Sequence, residues 1–284
     1  MISPYVRRLR LAAELRELRK QAGLTHEQLA SRIGQSRAQI SRLENGHVVD
    51  QNDVMKILDA LGVEDARWTQ VMTIAREAGE RGWWESNRAM GERQALFANL
   101  EAGAATIREF QMVFIPGLLQ TAEFTRARIE AERLTGPGGY TSEKAVQARI
   151  GRQRMLRRPG GPTYEAVIDE LAIQRRTAPG EVLKEQLYHV AATVNGNPLY
   201  EVRVLPIAAE IEGYEVPRSA FSIYTFTDPG DPTVVTVDTV TNDLVLVEED
   251  VVKRYEELYE SLREAAWPVA QSLEYLIDTA KTTR

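Results

Sequence analysis

The chain has 284 residues, a net charge of −6 and no cysteine. Disulfides, thiolate metal sites and cysteine nucleophiles are therefore excluded, and a reducing cytoplasm is the expected setting. Its hydrophobic content of 43% and charged content of 27% are those of an ordinary globular protein.

No run approaches the roughly 18 apolar residues of a membrane span. The opening stretch, MISPYVRRLRLAAELREL, lacks the uninterrupted apolar segment of a signal peptide. The three histidines, His26, His47 and His189, lie far apart, so no multi-histidine metal site is expected. The average charge hides an asymmetry. Residues 1–62 carry ten Lys and Arg against seven Asp and Glu, a net of +3, and the remainder carries 25 against 34, a net of −9. A small basic unit ahead of a larger acidic one is a pattern to test for DNA binding plus a sensor or partner module.

In chain order, Leu9, Ala12, Ala13, Leu15 and Leu18 recur at helical spacing over Val6–Gln21. Gly23 ends that helix. Thr25 opens a second, and Gln28 three residues on completes a capping box. Leu29, Ala30 and Ile33 form its inner face, and Gly34 stops it. Ser36 opens a third helix, again with a Gln, Gln39, three residues later. Ile40 and Leu43 point inward, and Asn45-Gly46 ends it. Two short helices joined by a tight turn containing Gly form a helix-turn-helix.

The inward direction of Ile40 and Leu43 sends Arg37, Ala38, Ser41 and Arg42 outward together. Arg pairs bidentately with guanine in the major groove, Ser reaches base or phosphate, and Ala touches a thymine methyl. The third helix's free N–H groups suit a phosphate. His26 is placed to contact DNA backbone. The DNA-binding set expected here is Thr25, His26, Ser36, Arg37, Ala38, Gln39, Ser41, Arg42 and Asn45. The competing reading is a helical hairpin with a solvated Arg face. Two caps, two glycines and the apolar spacing agree over one stretch and favour DNA.

Asp50–Leu61 reads as a fourth helix with Val54, Ile57, Leu58 and Leu61 inside. Asp65–Ala78 reads as a fifth, with Trp68, Val71, Met72 and Ala75 on one side. The head is thus expected over residues 1–78, a linker over 79–92 and an α+β domain over 93–284. Trp83 and Trp84 anchor the linker on one reading and line a ligand site on the other.

Beyond the linker, Gln94–Thr106 reads as a helix and Ile107–Ile115 as a strand, with Phe110, Met112 and Phe114 on one face. Gly117–Leu134 and the Arg-rich Ser142–Arg157 read as helices. TYEAVIDE reads as a strand and Gly180–Val194 as a helix. Tyr200–Pro206, Ala220–Phe226, Thr233–Asp238 and Asp243–Glu248 read as strands, the last three as an antiparallel meander. Helices over Glu249–Ala265 and Val269–Ala280 close the chain. The sheet is expected to be mainly antiparallel.

Chemistry is sparse. There is no glycine-rich phosphate loop, HExxH motif or GxSxG elbow. Asp169 and Glu170 are adjacent, but on a strand they face opposite ways. Neither an enzyme, a metal nor a cofactor is expected. The group Arg149, Arg152, Arg154, Arg157 and Arg158 reads first as a solvated helix end, where cations are favoured, and second as a site for phosphate or an acidic partner. The stretch FIPGLLQTAEF combines a helix start at Pro116 with apolar Leu118, Leu119 and Phe124. Its Gln120 and Thr121 are the polar residues there to test for ligand or partner contact.

LRELRKQAGLTHEQLASRIGQSRAQISRLENG (Leu15–Gly46) resembles the lambda-repressor/Cro-type, or XRE, family. The resemblance implies that Arg19 and Glu44 form an ion pair that ties the first helix to the third. IPGLLQTAEFTRA, RQRML, VIDELAI, VRVLP, AFSIYTF and SLEYLI together resemble the C-terminal domain of actinobacterial WhiJ-like, antitoxin-like regulators. That resemblance implies transcriptional control, with a small partner protein or small-molecule effector acting on the second domain. The expectation is a homodimer on double-stranded DNA. The alternatives are an antitoxin-like module that sequesters a small partner, or a small-molecule sensor, with DNA binding secondary.

Overall fold

The computed structural model describes residues 1–48, 50–82, 84, 90–132, 141–239 and 243–283. The chain forms two compact units. One is Met1–Ser86 with Phe226–Pro232, and the other is Asn87–Thr225 with Thr233–Arg284.

The first unit is helical: α1 Pro4–Gln21, α2 His26–Ile33, α3 Arg37–Leu43, α4 Gln51–Ala60 and α5 Asp65–Ala78. Side chains of Ser3, Thr25, Ser36 and Asp50 each accept a backbone N–H at the start of a helix. Such a cap replaces one bond that a helix end leaves open. Gly34 sits at φ +67°, the left-handed conformation that lets α2 stop and the chain turn into α3. The core joins Leu11 and Leu15 of α1 to Leu29, Ala30, Ile40, Leu43, Val54, Ile57, Leu58, Val71, Ile74 and Ala75. Each fully buried Leu or Ile contributes roughly 1.5–3 kcal/mol. On α1 the buried apolar residues are Pro4, Val6, Leu11, Ala12 and Leu15, while Ala13 is exposed and Leu9 and Leu18 are half-buried. The difference arises because buried Arg7 and Arg19 share the inner face. Arg7 pairs with Glu77, Asp228 and Asp231, and Arg10 pairs with Asp228 and Asp231, all inside this unit.

The second unit is α+β. After α6 Glu92–Gly103 come β1 Ala104–Gln111, α7 Ala122–Glu132, α8 Ser142–Leu156, β2 Thr163–Asp169, the short α9 Glu170–Gln174 and α10 Gly180–Val194. Then follow β3 Tyr200–Leu205, β4 Phe221–Phe226, β5 Val234–Val237, β6 Leu244–Leu246, α11 Glu249–Ala265 and α12 Val269–Thr282.

The strands form one six-stranded mixed sheet in the order β3-β2-β1-β4-β5-β6. β4, β5 and β6 pair antiparallel, as a meander should. Thr106 meets Thr225 and Phe110 meets Phe221, so β4 runs antiparallel to β1 as well. The pairs β1–β2 and β2–β3 are parallel. Parallel neighbours need long crossovers, and the helices between these strands supply them.

Alternation along β1 divides the two faces. Arg108 reaches Glu256 and Glu260 of α11, and Phe110 joins Phe221, Ile223, Val235, Tyr259 and Leu262 in one core. Glu109 points the other way, to Tyr164. The strand ends at Gln111 rather than Ile115, and Phe114 instead lies under the Arg128 guanidinium, 4.0 Å from its ring centre.

Candidate nucleic-acid interface

In the first unit, α2 opens with a capping box. The Gln28 N–H donates to Thr25 Oγ1 at 3.2 Å, and the Thr25 N–H donates to Gln28 Oε1 at 2.8 Å. α3 opens differently. Ser36 Oγ accepts the Gln39 N–H at 3.2 Å, but the Gln39 side chain does not return the bond. Its amide donates instead to Asp53 Oδ2, and Gln35 donates to Asp53 Oδ1 at 2.9 Å. Asp53 is buried on α4. The entry of α3 is therefore held to α4 by one carboxylate with two amide donors. Nothing in the sequence marks Gln35 and Asp53 as partners, because 18 residues separate them.

The other end of α3 is held through Glu44. Arg19 forks onto it, with Nε to Oε1 at 2.6 Å and Nη2 to Oε2 at 2.8 Å. Arg19 Nη1 also donates to the Leu24 carbonyl at 2.8 Å. His26 Nε2 lies 3.0 Å from Glu44 Oε2, and Arg16 donates to the Glu44 carbonyl. Burial alone would raise the Glu44 carboxyl, but the hydrogen bonds from Arg19 and His26 outweigh it and hold its pKa below the usual value. The forked geometry fixes orientation as well as charge. His26 is thus held by Glu44 and remains half-buried at the start of α2.

What remains outward on α3 is a short positive face. Arg37, Ala38 and Arg42 are exposed and Ser41 is half-buried, while Ile40 and Leu43 are in the core. Among the described residues, no hydrogen bond or ion pair engages the side chains of Arg37 and Arg42. Asn45 donates to the Ser41 carbonyl at 2.7 Å, so its amide folds back onto its own helix. Thr25 and Ser36 use their hydroxyls as caps.

In the second unit the segment after β1 is a knot of side-chain to backbone bonds. Gly117–Leu119 makes one 3₁₀ turn, Gln120 is extended, and α7 starts only at Ala122. The continuous helix from Gly117 expected from the sequence is interrupted. Gln186, fully buried on α10, is one reason. It donates to the Leu119 carbonyl at 2.8 Å and accepts the Thr121 N–H at 2.7 Å, which the backbone of a continuous helix would otherwise use. Gln120 is buried too. Its amide donates to the Ile115 carbonyl at 2.7 Å, and its own carbonyl accepts Gln153 at 2.7 Å. The Gln120 side chain is therefore turned into the fold. Thr121 Oγ1 accepts the Phe124 N–H at 3.1 Å and caps α7. A Cβ at Gly117 would overlap the Arg149 guanidinium, so a larger residue there would have to displace the end of that side chain.

The Arg group of α8 and the turn after it does not act as a unit. Arg152 is buried and forks onto Glu101, with Nε to Oε2 at 2.9 Å, and donates to Gln94 at 2.7 Å. Its guanidinium sits over Phe97, 5.0 Å from the ring centre. Burial would lower the Arg152 pKa, but Glu101 more than offsets this and raises it. Gln94, Phe97 and Glu101 share one face of α6 at positions i, i+3 and i+7.

Asp169 caps α9 by accepting the Leu171 N–H at 2.8 Å. Glu170 accepts the Tyr275 hydroxyl at 2.8 Å and the Ile207 N–H at 2.8 Å. Glu109 is buried, accepts Tyr164 Oη at 2.7 Å and Gln111 Nε2 at 2.9 Å, and burial raises its pKa. Trp84 is buried, and Trp83 lies outside the described residues. Among the described residues no cluster of His, Cys, Asp and Glu is arranged to hold a metal ion, and no helix is long and apolar enough to cross a membrane.

Residues 10–68 match a family model described as a helix-turn-helix domain, and residues 94–278 match one described as a domain of unknown function, DUF5753. No curated protein and no solved structure matches the chain. The helix-turn-helix match points to a DNA-binding regulator rather than an enzyme. Since the second match covers more than half of the sequence, the chain belongs to the DUF5753 family, with a helix-turn-helix domain ahead of the family's own domain.

Proposed function

We propose that the chain is a sequence-specific transcriptional regulator of the XRE kind that reads double-stranded DNA with α3. The observation that carries this reading is the pair of exposed arginines, Arg37 and Arg42, which no acidic group engages among the described residues. They stand on a helix whose two ends are held by buried carboxylates, Asp53 and Glu44. A guanidinium left free of acid partners on a rigid support is suited to guanine or phosphate. Ala38 and Ser41 lie between them and complete a surface for the major groove. In this reading Thr25, Ser36, Gln39, His26 and Asn45 support α2 and α3 and contact DNA at the rim. A homodimer reads two half-sites about one helical turn apart. The second unit receives the signal, as a small partner protein or an effector.

Selected-site binding followed by Arg37→Ala is the test. Replacement is expected to weaken specific binding by roughly 1–3 kcal/mol and to relax base preference at one position. The absence of any preferred sequence in the unaltered chain, or a preference unchanged in Arg37→Ala, sinks this reading. Binding is also expected to fall steeply with salt, since phosphate contacts release counterions.

A further inference from the structure

Among the described residues, two arginines just after α8 have no acidic partner and face a depression. Arg157 and Arg158 line a depression of about 340 Å³ together with Thr193, Asn197, Leu199 and Tyr200, all in the second unit. No carboxylate is in the lining. Arg158 is half-buried and donates only to backbone: Nη1 to the carbonyls of Glu101 at 3.3 Å and Met155 at 2.5 Å, and Nη2 to that of Ala104 at 3.4 Å. Its charge is met by carbonyl dipoles alone, and burial pushes its pKa down. Arg157 is exposed, and its charge is felt by both Tyr200 and His189.

The neutral groups add donors. Asn197 Oδ1 accepts the Leu199 N–H at 3.0 Å, which leaves the amide nitrogen as the end still to be satisfied. The Thr193 hydroxyl has only a 3.5 Å contact with His189. Leu199, 45% exposed, forms an apolar wall beside them. The lining is therefore positive and rich in donors, with one apolar side. The carbonyl ends of α8 and α10 each oppose an anion with about half a charge, against two full charges from the guanidiniums. The volume is at the lower end of the range for small-molecule sites.

We propose that this depression is an anion site of the second unit, taking a small ligand with one phosphate or carboxylate head on an apolar body. It gives a chemical class to the effector suggested above and rests on that reading for its biological use, though not for its binding chemistry. Forked guanidinium donors match the oxygens of either head group.

The full chain is titrated with phenyl phosphate, benzoate and benzyl alcohol at constant ionic strength, followed by calorimetry and by the thermal midpoint. At least one of the two anions is expected to bind saturably, and benzyl alcohol is not; the preferred anion names the head group. Arg157→Ala, at an exposed position, is expected to keep the ligand-free midpoint and lose affinity about ten-fold or more. Arg157→Lys is expected to recover part of it. The proposal is overturned if neither anion saturates, if benzyl alcohol binds as well as the anions, or if Arg157→Ala binds unchanged. Operator selection is measured on the same proteins without these compounds. Its absence counts against the regulator reading alone, and failure of the titration counts against the anion site alone.

Discussion

Two arginine-bearing helices in this chain serve opposite ends. On α3, Ile40 and Leu43 set the inner side, and Arg37 and Arg42 stand outside without acidic partners among the described residues. On α8 and the turn that follows it, five arginines crowd into ten residues, and the same helical spacing does not sort them. Arg152 is buried against Glu101, 51 residues earlier in the chain, while Arg157 is exposed and Arg158 bonds only to carbonyls. The difference lies in the range of the partner. A short helix in a small head meets neighbours close in sequence, whereas a helix beside a sheet meets groups brought in from another element.

The strongest way to break this contrast is Arg152→Met. It leaves the Glu101 carboxylate buried without its cation, and a stability loss of about 3–5 kcal/mol is expected in urea unfolding. Arg37→Ala is expected to leave stability within about 0.5 kcal/mol, because an exposed side chain with no partner supports nothing. Equal losses in the two variants would erase the distinction between the helices.

Gln186→Leu comes next. It strands the Leu119 carbonyl and the Thr121 N–H together, at about 1–3 kcal/mol for each group left unsatisfied. Hydrogen exchange is expected to rise first at Thr121 and the start of α7. Unchanged protection there would mean that this knot is not held by Gln186.

The Glu44 network is tested by acid. Its folded pKa lies below the ordinary value of 4.5, so its contribution is complete above that value and is lost as pH falls through the folded pKa. Stability measured from about pH 6 to about pH 3 should therefore drop on the acid side, and less steeply in Glu44→Gln. Identical slopes would show that other carboxylates dominate. The smallest expected effect is Thr25→Ala, which removes one half of the α2 capping box and costs about 1 kcal/mol. A loss too small to detect would mean that water replaces the cap.

Much of the head was legible because its signals are local. Capping residues, left-handed glycines and apolar spacing act within one turn, so Thr25, Ser36, Gly34 and Ile40 declare their roles in the primary structure. The second unit was legible in its elements: Gly180–Val194 forms the helix read from its pattern, and β2 and β3 fall where their alternation places them. The parallel pairing of β1, β2 and β3 was not legible, since a strand's own residues do not record the direction of its neighbour. Gln120 illustrates the same limit. A polar side chain in an apolar string suggested an outward contact, yet it donates to the Ile115 carbonyl and accepts the Thr125 hydroxyl inside the fold.

Local chemistry therefore determined the caps, the helix ends and the outward face of α3. Tertiary structure decided which charges are neutralised. The pairing of Arg152 with Glu101, the anchoring of Gln35 and Gln39 on Asp53, and the lack of a carboxylate beside Arg157 and Arg158 among the described residues depend on which elements meet. A charge's environment is a property of the groups packed around it, and these come from the whole chain.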